Sequence, residues 1–160
     1  MTLMKRSLVL VLVFLFTLDF TAFAGGMPAD RAAYVGGTES QITEGSEGSP
    51  STGNEREFVF EYDGGQLLIP YAQVDDLEYG QQAARHVGLA FATAGLSALA
   101  KHRKHFLTIG WKDDNGKEHA AVFELGKSIV KETIVSLETR TGKKVDYQDD
   151  AARKSGLGGM

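Results

Sequence analysis

The stretch Glu57-Phe-Val-Phe-Glu-Tyr-Asp-Gly-Gly-Gln-Leu-Leu-Ile-Pro-Tyr71 decides the fold class of this chain. Its first half places Phe58, Phe60 and Tyr62 at alternate positions, the period of a half-buried strand. The Asp-Gly-Gly in the middle supplies a turn, and the apolar run after it returns as a second strand. Pro70 has no backbone N–H, so we expect the returning strand to end there or to lie at a sheet edge.

Further strand patterns flank this hairpin on both sides. Residues Ala72 to Tyr79 predict a strand after a bend, and Ala32 to Thr38 predict a short strand before the hairpin. The run from His105 to Leu125 predicts a second hairpin, which turns at Asp113-Asp-Asn-Gly116. The chain is therefore expected to be mainly β.

After Gly126 the apolar period changes from strand to helix. Residues 127–141 predict one amphipathic helix, with Ser128 as a candidate N-cap and Gly142 at the position of a C-terminal cap. The side chains expected on its buried stripe are Ile129, Val130, Ile134, Leu137 and Thr141. Such a helix would pack on the sheet, which gives an α+β arrangement within the mainly β class.

Three other stretches have compositions that predict no packed structure. Residues 39–56 are rich in Gly, Ser, Thr and Glu and predict a polar loop. Residues 25–31 predict a flexible start, and the polar, Gly-rich residues 146–160 predict a disordered tail.

The first 24 residues predict a cleavable signal peptide. Lys5 and Arg6 precede an apolar run from Leu8 to Leu18, and small residues lead to a cleavage site after Ala24. The apolar run is shorter than the ~20 residues that span a bilayer, so a cleaved signal is preferred to a permanent anchor. We expect an exported protein, periplasmic or extracellular.

Composition excludes several classes of protein. The 160 residues include no Cys, which excludes a disulfide framework and a lipid-anchored cysteine. The formal net charge is −4, without the broad basic surface that nucleic-acid binding requires. No nucleic-acid partner is expected.

The stretch 81–104 interrupts the β pattern with an apolar insertion. The residues from Val87 to Ala100 are apolar or small throughout, and a helix of that length measures about 21 Å against roughly 30 Å of hydrocarbon. Basic residues border the insertion on both sides. The candidate membrane or partner contacts are Arg85, Phe91, Leu96, Leu99, Lys101, Arg103 and Lys104.

The insertion has two interpretations. In the first, it is a helix that contacts an anionic lipid surface or an envelope protein. In the second, it is buried core that covers an open barrel mouth, and the domain is structural or oligomerising.

The order of these elements resembles a known fold. The segment Gly65 to Tyr79 is similar to the strand–bend–strand of pleckstrin-homology-like (PH-like) and GRAM-like half-open barrels, in which a C-terminal helix follows the last hairpin. The chain also resembles uncharacterised exported bacterial proteins, which share its Tyr34-Val-Gly-Gly-Thr38 start and its Phe123-Glu-Leu-Gly-Lys127 helix entry. The resemblance covers residues 32–145 and implies a PH/GRAM-like half-barrel. Its motifs are structural and imply no catalytic residue or cofactor.

Catalytic and metal-binding motifs are weak throughout the sequence. The histidines are His86, His102, His105 and His119. His102 and His105 have a metal-like spacing, but the cations between and beside them disfavour a bound metal, and no Cys completes a tetrahedral set. Gly126-Lys127-Ser128 imitates the end of a phosphate loop, but Ala121 occupies the position of the loop's first glycine. Adjacent carboxylates such as Asp75 and Asp76 would point to opposite faces of a strand. The sequence predicts a non-enzymatic protein without metal or cofactor.

Overall fold

The computed structural model describes residues 27–80 and 104–158, which form one mixed β-sheet and two helices. The strands are β1 (Ala32–Gly37), β2 (Glu47–Ser51), β3 (Glu57–Tyr62), β4 (Gly65–Pro70), β5 (Val74–Gly80), β6 (His105–Lys112), β7 (Glu118–Leu125) and β8 (Asp146–Tyr147). A 3-10 turn, Tyr71–Gln73, joins β4 to β5, and the helices are α1 (Val130–Thr141) and α2 (Asp150–Gly156). The mainly β class is confirmed.

The eight strands lie in the order β4-β3-β2-β1-β7-β6-β5-β8. All neighbouring strands are antiparallel except β5 and β8, which are parallel. The pairing of β1 with β7 joins the early strands β1–β4 to the later group β5–β8. Within the described residues, β4 and β8 are the sheet edges.

Both predicted hairpins are confirmed. In the first, Phe58 lies opposite Ile69, and β4 ends at Pro70 on the sheet edge. In the second, β6 pairs with β7 along its whole length. Gly116 closes the turn at φ 77°, a left-handed conformation that glycine adopts without steric cost.

The predicted polar loop 39–56 was only partly correct, because β2 lies within it. Gly48 is the residue that makes the pairing possible: a Cβ there would lie 2.3 Å from the carbonyl oxygen of Glu61 and 2.5 Å from the Phe60 ring. Because Gly48 has no side chain, β2 can lie against Phe60 and β3. Ile42, in the same segment, is also buried.

The helix after the second hairpin starts later than predicted. α1 begins at Val130, and the expected N-cap is wrong, because the Ser128 hydroxyl donates to the carbonyl oxygen of Ala29 at 2.5 Å. Gly142 does cap the C-terminus, at φ 70°. Of the predicted stripe, Val130, Ile134 and Leu137 are buried, and Ile129 and Thr141 are partly buried.

The start of the described chain is held in place, which corrects the prediction of a flexible segment 25–31 for its described part. The backbone N–H of Gly126 donates to the carbonyl of Arg31 at 2.7 Å, and that of Ser128 donates to Ala29 at 3.0 Å. These bonds tie residues 28–31 to the turn between β7 and α1.

The prediction of a disordered tail at 146–160 was wrong. β8 pairs with β5, and the carboxylate of Asp149 accepts from the N–H of Ala152 at 2.7 Å, which caps α2. At Gly156 an added Cβ would lie 2.9 Å from the Tyr147 ring and 3.1 Å from Ile134, so only glycine allows α2 to approach this closely. The folded domain thus continues beyond residue 145.

The core lies between one face of the sheet and the helices. Its centre is aromatic: the Phe123 ring centroid is 4.9 Å from that of Phe60, 5.5 Å from Phe58 and 6.1 Å from Tyr34. Each of these side chains is essentially inaccessible to solvent. Truncating one of them to alanine would cost about 3–5 kcal/mol.

Two predicted features lie outside the described residues. They are the signal peptide 1–24, with its cleavage site at Ala24, and the insertion up to residue 103. Within residues 27–80 and 104–158, neither helix has the length and apolar character needed to cross a membrane.

Candidate functional site

Of the seven candidate contact residues, the structure describes one. Lys104 immediately precedes β6, and the other six lie outside the described residues: Arg85, Phe91, Leu96, Leu99, Lys101 and Arg103. The site can therefore be built only from the residues to which the insertion is attached.

The insertion leaves and re-enters the sheet between adjacent strands. β5 and β6 are paired up to Gly80, which lies opposite Phe106. Paired strands are about 4.8 Å apart, so the two ends of the insertion are held side by side. We call this part of the sheet, formed by Tyr79–Gly80, Lys104–Phe106 and Glu124–Lys127, the insertion end.

Lys104 is fixed at the insertion end by an ion pair. Its Nζ donates to Oε2 of Glu124 at 2.7 Å, and their side chains are 30% and 16% exposed. The pair links the first residues of β6 to β7. Lys104 is therefore held against the sheet, while the neighbouring Lys127 is exposed.

Within the insertion end, the side chain of Tyr79 joins β5 to β6 and α2. Its Oη lies 2.5 Å from Nδ1 of His105 and 3.2 Å from Oγ of Ser155. The Ser155 hydroxyl donates to the carbonyl of Ala152 at 2.9 Å. One arrangement satisfies all three contacts: His105 donates to Tyr79, Tyr79 donates to Ser155, and Ser155 donates to the backbone.

The environment of this chain of hydrogen bonds favours neutral groups. Burial lowers the pKa of His105, the nearby Lys127 lowers it further, and Glu124 opposes both effects. Burial also raises the pKa of Tyr79. At neutral pH the imidazole and the phenol are both uncharged, and the serine hydroxyl is committed to a backbone acceptor. The arrangement links β5 and β6 to α2.

A second polar cluster lies at the opposite end of the β6–β7 hairpin. Nδ1 of His119 is 2.8 Å from Oε1 of Glu39, and its Nε2 is 3.4 Å from Oδ2 of Asp113. The Trp111 ring stacks on the imidazole at 5.3 Å. The cluster ties the segment after β1 to the turn of the hairpin.

The His119 cluster includes one hydroxyl, that of Thr38. It lies 3.4 Å from Nδ1 of His119 and donates to Oε1 of Glu39 at 3.2 Å, and it accepts from the backbone N–H of Ala120 at 3.1 Å. Asp113 accepts from the N–H groups of Lys117 and Asn115, and these bonds together with His119 lower its pKa. The carboxylate thus stabilises a turn.

The described histidines are not brought together. His105 pairs with Leu125 at one end of the hairpin, and His119 pairs with Trp111 near the other, roughly 20 Å away along the strands. His86 and His102 lie outside the described residues. No group of three or more His, Asp or Glu side chains in the described parts of the chain could hold a metal ion.

Asp75 and Asp76 do not point to opposite faces of the strand as predicted. A register shift between Val74 and Asp76 interrupts the β5–β6 pairing, and both Asp75 and Asp76 lie beside Gly110. A bulge, which adds one residue to a strand, explains why neighbours do not alternate here. Lys112 lies 3.4 Å from Asp75 and offsets part of the charge.

Sequence reasoning missed the partners of both clusters. Glu39 meets His119 across 80 residues of chain, and Tyr79 meets Ser155 across 76. No local spacing encodes such pairs. The Asp149-Asp-Ala-Ala152 run, with an acidic cap before helix-forming residues, was the one signal for α2.

The fold and this site define the chain as a mainly β domain with one eight-stranded mixed sheet, two helices and a long connection at one sheet end. No protein-family model matches the chain, and no curated protein sequence matches it at a significant level.

Proposed function

We propose that this chain is an exported, non-enzymatic binding domain that presents residues 81–104 to an anionic membrane surface. The β5–β6 register carries the proposal, because Gly80 and Phe106 are directly opposite one another. A rigid pair of strands thus holds both ends of an apolar, base-flanked segment at one place on the molecule. The apolar side chains of this segment would contact the lipid, and its basic flanks would contact the anionic headgroups.

The charge distribution supports the same orientation. Lys104 and Lys127 lie at the insertion end, where Arg85, Lys101 and Arg103 flank the insertion in sequence. The far end of the β6–β7 hairpin carries the acidic turn that includes Asp113 and Asp114. Because Glu124 pairs with Lys104, the cations at the first end that are available to an anionic lipid surface are Lys127 and the flanking Arg85, Lys101 and Arg103.

The proposed fold is the PH/GRAM-like half-barrel. Two features support it: the strand–bend–strand from Gly65 to Gly80, and an amphipathic helix directly after the last hairpin. β8 and α2 are extra elements that a PH/GRAM-like half-barrel does not include. They bury Tyr79 and lie beside the strand from which the insertion departs.

Vesicle flotation would test the function. We expect the mature chain, residues 25–160, to float with phosphatidylglycerol-containing vesicles and not with phosphatidylcholine vesicles. Replacing residues 87–100 by a Gly-Ser linker of equal length is expected to abolish flotation.

Two matched lysines provide the control for orientation. Lys127→Gln at the insertion end is expected to weaken flotation, and Lys117→Gln in the far turn is expected to leave it unchanged, since both side chains are exposed. Equal flotation of the wild type and the linker variant would refute the proposal. Binding to an envelope protein without any vesicle association would assign the segment to a protein partner and would also refute the membrane function.

One observation favours the structural alternative. Phe106, Thr108, Ala120 and Val122 alternate with core residues on β6 and β7, so they face the other side of the sheet, yet all four are buried. In this alternative the apolar insertion is part of a second core. Replacing Leu96 and Leu99 by Ser would then lower the free energy of unfolding by several kcal/mol, whereas a surface segment would tolerate it within about 1 kcal/mol.

A further inference from the structure

The strand β4 forms one edge of the sheet in the described part of the chain. It pairs with β3, with Phe60 opposite Leu67 and Phe58 opposite Ile69. The side chains of Leu67 and Ile69 enter the core. The other long edge of this strand has no partner among the described strands.

The direction of the β4 backbone groups follows from the register. The N–H of Tyr71 donates to the carbonyl of Arg56 at 2.9 Å, in line with the β3–β4 pairing. Hydrogen-bonded pairs recur at every second residue in an antiparallel ladder, so the backbone groups of 65, 67 and 69 face β3. Those of Gln66, Leu68 and Pro70 face outward. The open edge thus offers two N–H groups, from Gln66 and Leu68, and three carbonyls.

This edge lacks most of the features that protect edge strands. Natural edges carry lysines, other charges, bulges or prolines that discourage pairing with another strand. β4 has no charged residue and no register shift, and Leu68 on its outer face is 39% exposed. Pro70 protects only the last position. The opposite edge, β8, is two residues long and begins with Asp146.

We propose that β4 pairs in antiparallel fashion with β4 of a second copy of this chain. A two-fold axis at Leu67 places Gln66 of each copy opposite Leu68 of the other. Each of these two pairs exchanges two hydrogen bonds, so four backbone bonds form and satisfy both outward N–H groups of each copy. The ladder ends at Pro70, which has no donor to offer.

Charge explains why a second copy fits this edge. Two identical strands that carry no charge meet without like-charge repulsion, and the six residues Gly65–Pro70 carry none. The acidic residues Glu57 and Glu61 lie on β3, so the two β3 strands would be about 14 Å apart across the axis, beyond the Debye length at physiological salt. The two copies would form one continuous sheet.

Sedimentation velocity of the mature chain over a range of concentrations tests this pairing. The wild type is expected to shift from monomer to dimer, and Leu68→Lys is expected to weaken the association about tenfold or more, since an edge lysine opposes strand pairing. Val135→Lys is the matched control, because Val135 is a comparably exposed side chain, 45% accessible, on α1. It should leave the dimer unchanged.

A second variant separates backbone pairing from side-chain contact. Gln66→Pro removes one outward N–H and no donor of the β3–β4 ladder, so the fold should persist while the association weakens. Far-UV circular dichroism and thermal melting confirm the fold of each variant. A wild type that stays monomeric at all concentrations overturns the proposal. So does a dimer that Leu68→Lys and Gln66→Pro leave intact, because it must use another surface.

Discussion

Replacing Tyr79 by Phe removes one hydroxyl from the interior of the insertion end. The side chain is fully buried, and its ring packs against His105, Tyr147 and α2 in a way that phenylalanine preserves. The change deletes the hydrogen bonds of this hydroxyl to His105 at 2.5 Å and to Ser155 at 3.2 Å. Since Ser155 keeps its backbone acceptor and His105 is only half-buried, we expect the free energy of unfolding to fall by about 1–2 kcal/mol.

Urea denaturation measures this decrease, with the fluorescence of Trp111, the single tryptophan of the chain, as the probe. A double-mutant cycle with Ser155→Ala isolates the contact between β5 and α2, and a coupling of about 0.5 kcal/mol or more is expected. Tyr62→Phe is the control. Tyr62 is only partly buried, and its variant should be destabilised by less than about 0.5 kcal/mol.

A destabilisation below about 0.3 kcal/mol for Tyr79→Phe would refute this reasoning, because it would mean that the hydroxyl stabilises neither partner. Additive effects in the double-mutant cycle would separately show that Tyr79 and Ser155 act independently, and α2 would then be held by packing alone.

Three further predictions concern single residues. The pKa of His105 is lower in the folded state than in the unfolded chain, so the unfolded chain binds a proton at higher pH and the free energy of unfolding should fall as the pH drops below about 6.5. In His105→Gln, the urea midpoint should depend less on pH between pH 7 and 5. The pKa of Asp113 is lowered as well, so its contribution holds above about pH 4 and is lost in more acidic solution; in thermal melts Asp113→Asn should be less stable than wild type at pH 7 and indistinguishable from it near pH 2. Gly156→Ala should cost about 1–2 kcal/mol in urea titrations through overpacking against Tyr147 and Ile134, and a stabilised variant would contradict the close approach of α2.

Local patterns predicted the parts of the fold that depend on neighbouring residues. Alternation from Glu57 to Tyr71 identified a hairpin, Pro70 identified its edge, and Gly142 identified a helix end. Each of these follows from the conformational limits of the residue itself. The order of strands could not be obtained in this way, because the pairing of β1 with β7 depends on contacts across most of the chain.

Composition misled in the two polar segments. Glu47–Ser51 has low strand propensity, yet it pairs because Gly48 fits against Phe60 where a larger residue would collide. The tail folds because small residues, Ala152 and Gly156, fit against β5 and α1. In both cases a small residue allows close packing, and the hydrophobic pattern of a sequence does not reveal where small residues are needed.

The positions of the paired strands also determine when folding can finish. β1 requires β7, and β5 is flanked by β8 only after α1 has been made. A chain that is made from its N-terminus can pair β1 with β2 early, but the second neighbour of β1 is β7, which begins only at Glu118. Long-range pairing of this kind slows folding. The segment from Asp146 onward is made last, and its strand β8 completes the sheet edge beside β5.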